Sequence, residues 1–216
     1  RARWCQSHGD FNWNREVVLE EFCAYFCLIS KMYSAEDNAR IELIKKHIGE
    51  YPDFPKKGII FKDVFTALSS GEVCRAVKEL FLSYIKSSCP DIDAVVGLDA
   101  RGFLFSLLIA SELSIGCVPI RKKGKLPGET YSVEYQLEYG VDVFQLQKSA
   151  LKPGQKVLIV DDLIATGGTL EAATKLIEKS GAVVVECLAI MELTPLKGRD
   201  KLKNYKVHSF IQYDED

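Results

Sequence analysis

Val157-Leu158-Ile159-Val160-Asp161-Asp162-Leu163-Ile164-Ala165-Thr166-Gly167-Gly168-Thr169 is the stretch that decides the fold. Its four apolar opening residues, Val157 to Val160, predict a fully buried strand. Two carboxylates and a small-residue loop follow. From Thr169 to Lys179 the spacing predicts a helix with Leu170, Ala173, Leu176 and Ile177 on one face. In open α/β sheets ligands bind beyond the carboxyl ends of strands, which is where this order places the loop. Gly167 and Gly168 let backbone N–H groups approach a ligand closely, and the helix start adds unpaired donors and the positive end of a dipole. Thr166 and Thr169 add hydroxyls. Ala165, Thr166, Gly167, Gly168 and Thr169 are therefore candidate holders of a dianionic phosphate monoester. Asp161 and Asp162 would repel that anion unless they serve a purpose, either accepting hydrogen bonds from sugar hydroxyls or balancing a bound Mg²⁺. The spacing is neither G-x-x-x-x-G-K-[ST] nor G-x-G-x-x-G, which counts against P-loop NTPases and dinucleotide-binding folds.

Outward from this stretch, strands and helices alternate. Downstream, Gly181 stops the helix and Val183 to Met191 predicts another buried strand. Upstream, Pro153-Gly154 is a turn, and Tyr131 to Tyr139 with Val141 to Leu146 predicts a hairpin. Strands at Ala94 to Val96 and Cys117 to Ile120 flank a helix over Phe103 to Leu113. An amphipathic helix is expected over 72–87, and another carries Ala39, Ile41, Leu43, Ile44 and Ile48 to a stop near Gly49. Prolines lock Tyr51-Pro52-Asp53-Phe54-Pro55 out of helix. The alternation predicts an α/β fold, a mostly parallel sheet flanked by helices on both sides.

Composition excludes several classes. The 216 residues allow one ordinary domain plus an appendage. A net charge of -2 argues against a general nucleic-acid binder. No run reaches the ~18 apolar residues that span a bilayer, so no membrane association is expected. Seven cysteines without a C-x-x-C pair suit a reducing cytoplasm, and Cys74, Cys117 and Cys187 read as small core residues. His8, His47 and His208 lack metal-ligand spacing. Glu16, Glu20 and Glu21 precede the short apolar run Phe22 to Ser30, a poor signal peptide. Residues 1–31 read as a non-catalytic extension, and Met32 precedes a sensible beginning.

The strand–Asp-Asp–Ala-Thr-Gly-Gly-Thr string closely resembles the donor-binding motif of type I phosphoribosyltransferases. The resemblance implies that Asp161 and Asp162 meet the ribose hydroxyls of phosphoribosyl pyrophosphate while Ala165 to Thr169 hold its 5-phosphate. Three further segments resemble the adenine-specific members, in the same order along roughly residues 36–213. Gly97-Leu98-Asp99-Ala100-Arg101-Gly102-Phe103 is similar to their pyrophosphate loop, where backbone amides and Arg101, a planar fork for phosphate oxygens, receive the leaving group. Some members carry serine where Ala100 stands, so that hydroxyl contact does not transfer. Tyr135-Gln136-Leu137-Glu138-Tyr139-Gly140 resembles their catalytic flap. Glu138 becomes the candidate acid/base at the purine and Tyr139 a cover; by itself Glu138 reads as an exposed strand carboxylate. Tyr51 to Asp63 resembles their N-terminal hood, where Phe61 would stack on the purine and the backbone of Ile60 and Lys62 would read its edge; by itself Phe61 reads as a core aromatic. Arg121, Lys122, Lys123 and Lys125 form a basic run that is either a solvated face or a partner for pyrophosphate charge.

The resemblance implies a phosphoribosyltransferase domain over 32–216 with a small N-terminal hood and a β-flap, acting in purine salvage. Adenine, phosphoribosyl pyrophosphate and AMP would be its small-molecule partners, and Mg²⁺, held mainly through the donor rather than by a protein cage, its cofactor. Members are commonly homodimers. Two other readings use the same motif: a transferase for another nucleobase, and a regulator that binds the donor without chemistry. The hood and flap strings disfavour the first. The second lacks a nucleic-acid module.

Overall fold

A computed structural model of the chain describes residues 33–136 and 141–214. The chain divides into two units, residues 1–39 and 40–216. In the first, Ser34 caps the opening helix α1 (Ala35–His47): its Oγ accepts from the Asp37 N–H at 3.0 Å and donates to Asp37 Oδ2 at 2.9 Å.

The second unit carries the sheet. A hairpin of β1 (Gly49–Pro52) and β2 (Ile60–Asp63) is antiparallel and separate from it. Asp63 ends β2 and caps α2 (Val64–Leu68), accepting from the Phe65 and Thr66 N–H groups. Then come α3 (Gly71–Ser88), β3 (Ala94–Leu98), α4 (Gly102–Leu113), β4 (Gly116–Lys122), β5 (Thr130–Gln136), β6 (Val141–Gln147), β7 (Lys156–Ile164), α5 (Gly168–Lys179), β8 (Val183–Leu193) and β9 (Val207–Tyr213). Seven strands lie in the order β5-β6-β4-β3-β7-β8-β9. The pairs β3–β4, β3–β7, β7–β8 and β8–β9 are parallel, and the β5–β6 hairpin joins β4 antiparallel. This is the mostly parallel α/β sheet the alternation predicts.

Strand periodicity of two sorts each strand between two cores. Ala94, Val96 and Leu98 share one with Val157, Ile159, Cys187 and Ala189, under Leu170, Ala173, Leu176 and Ile177 of α5. Truncating one of these, Leu176→Ala, costs about 2–5 kcal/mol on the usual scale for buried leucines. The opposite face receives α4, so closely that a Cβ on Gly102 would lie 2.6 Å from the Val160 carbonyl oxygen. On that side Phe81 of α3 packs edge-on against Phe210 of β9, ring centroids 5.3 Å apart.

Three details differ from the sequence reading. β7 runs on to Ile164, paired with β8 as far as Glu192, so Asp161 and Asp162 belong to the strand rather than the loop. β9 has no counterpart in the sequence reading: His208 and Ser209 interrupt its apolar pattern, yet both are buried. Cys187 is buried as expected, but Cys74 and Cys117 are only partly so, and Cys89 is a buried cysteine that the apolar runs do not mark; all four are free thiols.

Candidate active site

A cavity of about 1140 Å³ opens at the carboxyl ends of β3 and β7. Asp99, Ala100 and Arg101 form one wall, and Asp161 to Leu163 with Ala165 to Thr169 form the floor. Pro55, Gly58, Ile60 and Lys62 of the hood region face them, and Leu193, Gln212 and Tyr213 close the side. A depression of about 800 Å³ lies elsewhere, between the β5–β6 hairpin and α5 around Lys123, Glu134 and Lys179. It contains neither the acids nor the glycine loop, and the larger cavity is the one with chemistry in it.

Two helices begin at this cavity without side-chain caps. α4 starts after Arg101 and α5 after Gly167, and neither preceding residue's side chain accepts from the first turn. α2 and α3, by contrast, are capped by Asp63 and Ser70. Uncapped first-turn N–H groups leave donors and a positive dipole end for an anion. Gly167 has φ 76°, the left-handed region, and turns the chain sharply into α5. The peptide between Asp99 and Ala100, in the segment that resembles the pyrophosphate loop, is cis. The cavity thus holds two anion-receiving helix starts, with Asp161 and Asp162 on the strand that leads into the second.

The two acids interact directly. The Asp162 N–H donates to Asp161 Oδ1 at 3.0 Å. Burial, and then the charge of Asp162, push the Asp161 carboxyl well above the ordinary carboxylate range. Burial raises Asp162 as well, but Arg101 opposes the shift. Arg101 Nε stands 2.8 Å from Asp162 Oδ2, an ion-pair distance without hydrogen-bond alignment, so that oxygen is buried with no directed donor. Two hard carboxylates, one retaining acceptor capacity, fit a hard cation such as Mg²⁺ when its other ligands come from phosphate oxygens. No group of three His, Cys, Asp or Glu side chains that could form a protein cage occurs among the described residues.

The hood's sequence-predicted residues divide. Ile60 and Lys62 line the cavity. The Lys62 amine pairs with Glu50 and sits 4.4 Å from the Tyr213 ring centroid, tying the hairpin to the end of β9. Phe61 stands beside the wall instead: its ring meets Phe54 edge-on at 5.2 Å, and the Arg101 guanidinium lies 5.8 Å from its centroid. The basic run is also apart from the lining. Arg121 Nε donates to Asp99 Oδ2 at 3.2 Å, Lys122 pairs with Asp142 at 2.9 Å, and Lys125 is exposed. Arg121 touches the cavity's wall through Asp99, whose Oδ2 also accepts from the Lys122 backbone N–H at 3.5 Å. Glu138 and Tyr139 lie outside the described residues. Sequence reasoning missed Tyr135, Leu193, Gln212 and Tyr213. Three of these come from β9 and the end of β8, where no motif marks them and only the sheet order brings them in.

The Phosphoribosyl transferase domain family matches residues 67–215. An adenine phosphoribosyltransferase of Drosophila pseudoobscura pseudoobscura is 57% identical over 83% of this chain and 98% of its own length. The mouse enzyme of that name is 49% identical over 81% and 97% respectively. Among solved structures, adenine phosphoribosyltransferase from Saccharomyces cerevisiae, complexed with an imino-altritol bisphosphate and adenine, superposes with a TM-score of 0.78 at 40% identity, over 80% of this chain and 99% of that one. The Trypanosoma brucei enzyme, in complex with AMP, pyrophosphate and ribose-5-phosphate, gives 0.74 at 28% identity, over 80% and 79%. With relatives matched almost end to end and the same backbone beneath them, the chain belongs to the phosphoribosyl transferase family, among its adenine phosphoribosyltransferases.

Proposed function

We propose that this chain transfers the phosphoribosyl group from phosphoribosyl pyrophosphate to adenine, forming AMP and pyrophosphate in purine salvage. The observation that carries this is the pair of uncapped helix starts at one cavity, with two adjacent carboxylates on the strand entering the second. A donor with a phosphate at one end and a pyrophosphate at the other needs two such anion sites with a sugar between them. The amides and hydroxyls of Ala165 to Thr169 take the 5-phosphate. Arg101 and the start of α4 take the pyrophosphate.

In the reaction adenine N9 bonds to the anomeric carbon as the bond to pyrophosphate oxygen breaks. Positive charge grows on the ribose ring, and Asp161 and Asp162 stabilise it while accepting from the ribose hydroxyls. Mg²⁺, carried mainly on the donor's oxygens beside these acids, supplies charge neutralisation at the leaving group when bound. Glu138 accepts the purine proton, and Tyr139 covers the site. Phe61 stacks on the base once Arg101 engages the donor. The backbone of Ile60 and Lys62 matches adenine's amino donor and neighbouring ring acceptor, and hypoxanthine reverses both, leaving buried groups unpaired.

Assembly as a homodimer is part of the same reading. Leu104 and Leu107, on the outward side of α4, are 51% and 64% exposed, an apolar face on a helix that starts at the site. Arg121, Lys122 and Lys125, which do not line their own cavity, would serve a neighbouring one. The free thiols suit a cytoplasmic setting. Residues 1–31 are a non-catalytic extension of a catalytic domain over 32–216.

The direct test is incubation with donor, Mg²⁺ and each purine in turn. AMP should form, with kcat/KM for adenine on the order of 10⁴-fold or more above that for hypoxanthine, the scale of discrimination by paired polar groups. Equal efficiency with both bases overturns the hood assignment. Donor binding without any nucleotide product would make the chain a sensor.

A further inference from the structure

We infer that Glu192, Arg199 and Ser209 form a latch that sets the shape of the phosphate loop from behind, making them positioning residues for the donor's 5-phosphate. The inference rests on the assignment of Ala165 to Thr169 to that phosphate.

Arg199 lies in the short 3₁₀ turn Gly198–Leu202 that follows β8. All three guanidinium nitrogens are engaged. Nε donates to Glu192 Oε1 at 2.7 Å and Oε2 at 3.0 Å, and Nη2 donates to Glu192 Oε2 at 2.6 Å and Ser209 Oγ at 3.0 Å. Nη1 donates to the Val207 carbonyl at 2.7 Å, and Ser209 Oγ donates to Glu192 Oε2 at 2.5 Å. Glu192 is buried in β8, in register with Ile164 at the end of β7, while Val207 and Ser209 belong to β9. Burial alone would raise the Glu192 carboxyl; the hydrogen bonds from Arg199 and Ser209 overcome it and hold it below the ordinary carboxylate range. A planar five-donor fork suits this arrangement, and a lysine cannot reproduce it.

The latch matters because of what it holds in place. Gly198, next to Arg199, is in backbone contact with the loop. A Cβ on Gly198 would lie 2.3 Å from the Ala165 carbonyl oxygen and 3.0 Å from the Gly167 nitrogen, and a Cβ on Gly167 would lie 2.2 Å from the Gly198 carbonyl oxygen. The two glycines meet without side chains between them, so any shift of the turn is a shift of the loop. Neither Glu192 nor Arg199 lines the cavity. Their influence passes through Gly198, and a purely stabilising ion pair would have no reason to favour one part of the substrate over another.

The test compares full-length Arg199→Lys, Glu192→Gln, Ser209→Ala and Gly198→Ala with the unaltered chain. Calorimetry would use AMP and ribose 5-phosphate, which carry the phosphate, and adenine, which does not. Arg199→Lys and Gly198→Ala should weaken both phosphate ligands about 10- to 100-fold, the scale for a displacement of roughly 1 Å, with adenine affinity moving less than about threefold. The donor KM should rise with them while kcat changes little. Gly198→Ala keeps the ion pair and Ser209→Ala removes one hydroxyl, so the comparison stands if the charge variants fold poorly. Equal losses for AMP and adenine, or unchanged phosphate affinity in the folded variants, overturn the inference. If the unaltered chain binds ribose 5-phosphate no better than ribose, the phosphate-loop assignment itself has failed, a result separate from a silent latch.

Discussion

Asp161 and Asp162 pose a conflict at the level of single residues: two carboxylates adjacent in one strand, both raised by burial, beside a site for anions. Such a pair is poor for stability in the free protein and useful only when positive charge arrives. Asp161→Asn or Asp162→Asn should therefore lower turnover on the order of a hundredfold, the usual consequence of removing one preorganised group from a developing charge. Melting temperature should hold or rise for Asp161→Asn, which relieves a buried repulsion, and should not rise for Asp162→Asn, which removes the partner of Arg101. The double variant should lose less than the sum of the singles, because the acids act as a unit. Unchanged turnover in both singles would take the acids out of the mechanism. Glu138→Gln isolates the proton transfer. It keeps the side chain's size and cannot accept a proton, so turnover should fall roughly 10²–10⁴-fold with modest change in substrate affinity. If steady-state rates barely move, solvent or the donor's own pyrophosphate takes the proton instead. These residues were legible in the sequence because each sits in a short contiguous motif. Tyr213 was not, since it reaches the cavity by strand pairing and belongs to no local pattern that signals a ligand, and Tyr135, although it opens the flap string, carried no role of its own there.

Among the elements, β9 was the hardest to read and has the clearest pH signature. His208 stacks on Tyr84 of α3 with ring centroids 3.9 Å apart. Burial, reinforced by the charge of Arg199 and partly offset by Glu192, brings its pKa down from 6.5 to about 4. The unfolded chain takes up a proton near pH 6.5 and the folded chain resists it until about pH 4, so this contribution to stability is full above 6.5 and is lost as pH falls across that window. At pH 5 the loss should be about 2 kcal/mol. Urea unfolding at pH 7.5 and pH 5 checks it: His208→Gln should flatten the difference by roughly that amount, and an identical pH dependence would clear His208 of the role. The same residue explains why β9 escaped notice. A buried histidine and serine break the apolar run on which a strand prediction depends, and they are tolerated only because Tyr84 and the Glu192–Arg199 pair receive them. β7, α4 and α5, whose buried faces are mostly apolar despite Asp162, Ser106 and Thr174, announced themselves.

For the whole molecule, assembly and extent each carry a prediction. Leu107→Glu places a charge on the exposed side of α4 and should convert a dimer to monomer in sedimentation, with a fall in activity if cations from one copy serve the other; an unchanged sedimentation coefficient would assign the dimer to another face or dismiss it. The extent of the catalytic domain is tested by a chain that begins at Met32. Relatives are matched nearly end to end by a fraction of this chain, so part of it has no counterpart in them. Among the described residues, those that line the cavity run from Lys45 to Asp214. A start at Met32 leaves Ser34 in place to cap α1, so the first helix keeps its N-terminal hydrogen bonds. Removing residues 1–31, which carry no motif, should leave kcat, both KM values and the donor-induced rise in melting temperature unchanged. A folded truncation with intact adenine binding but much reduced turnover would mean that residues 1–31 act on catalysis. The extension would then have to be counted as part of the enzyme.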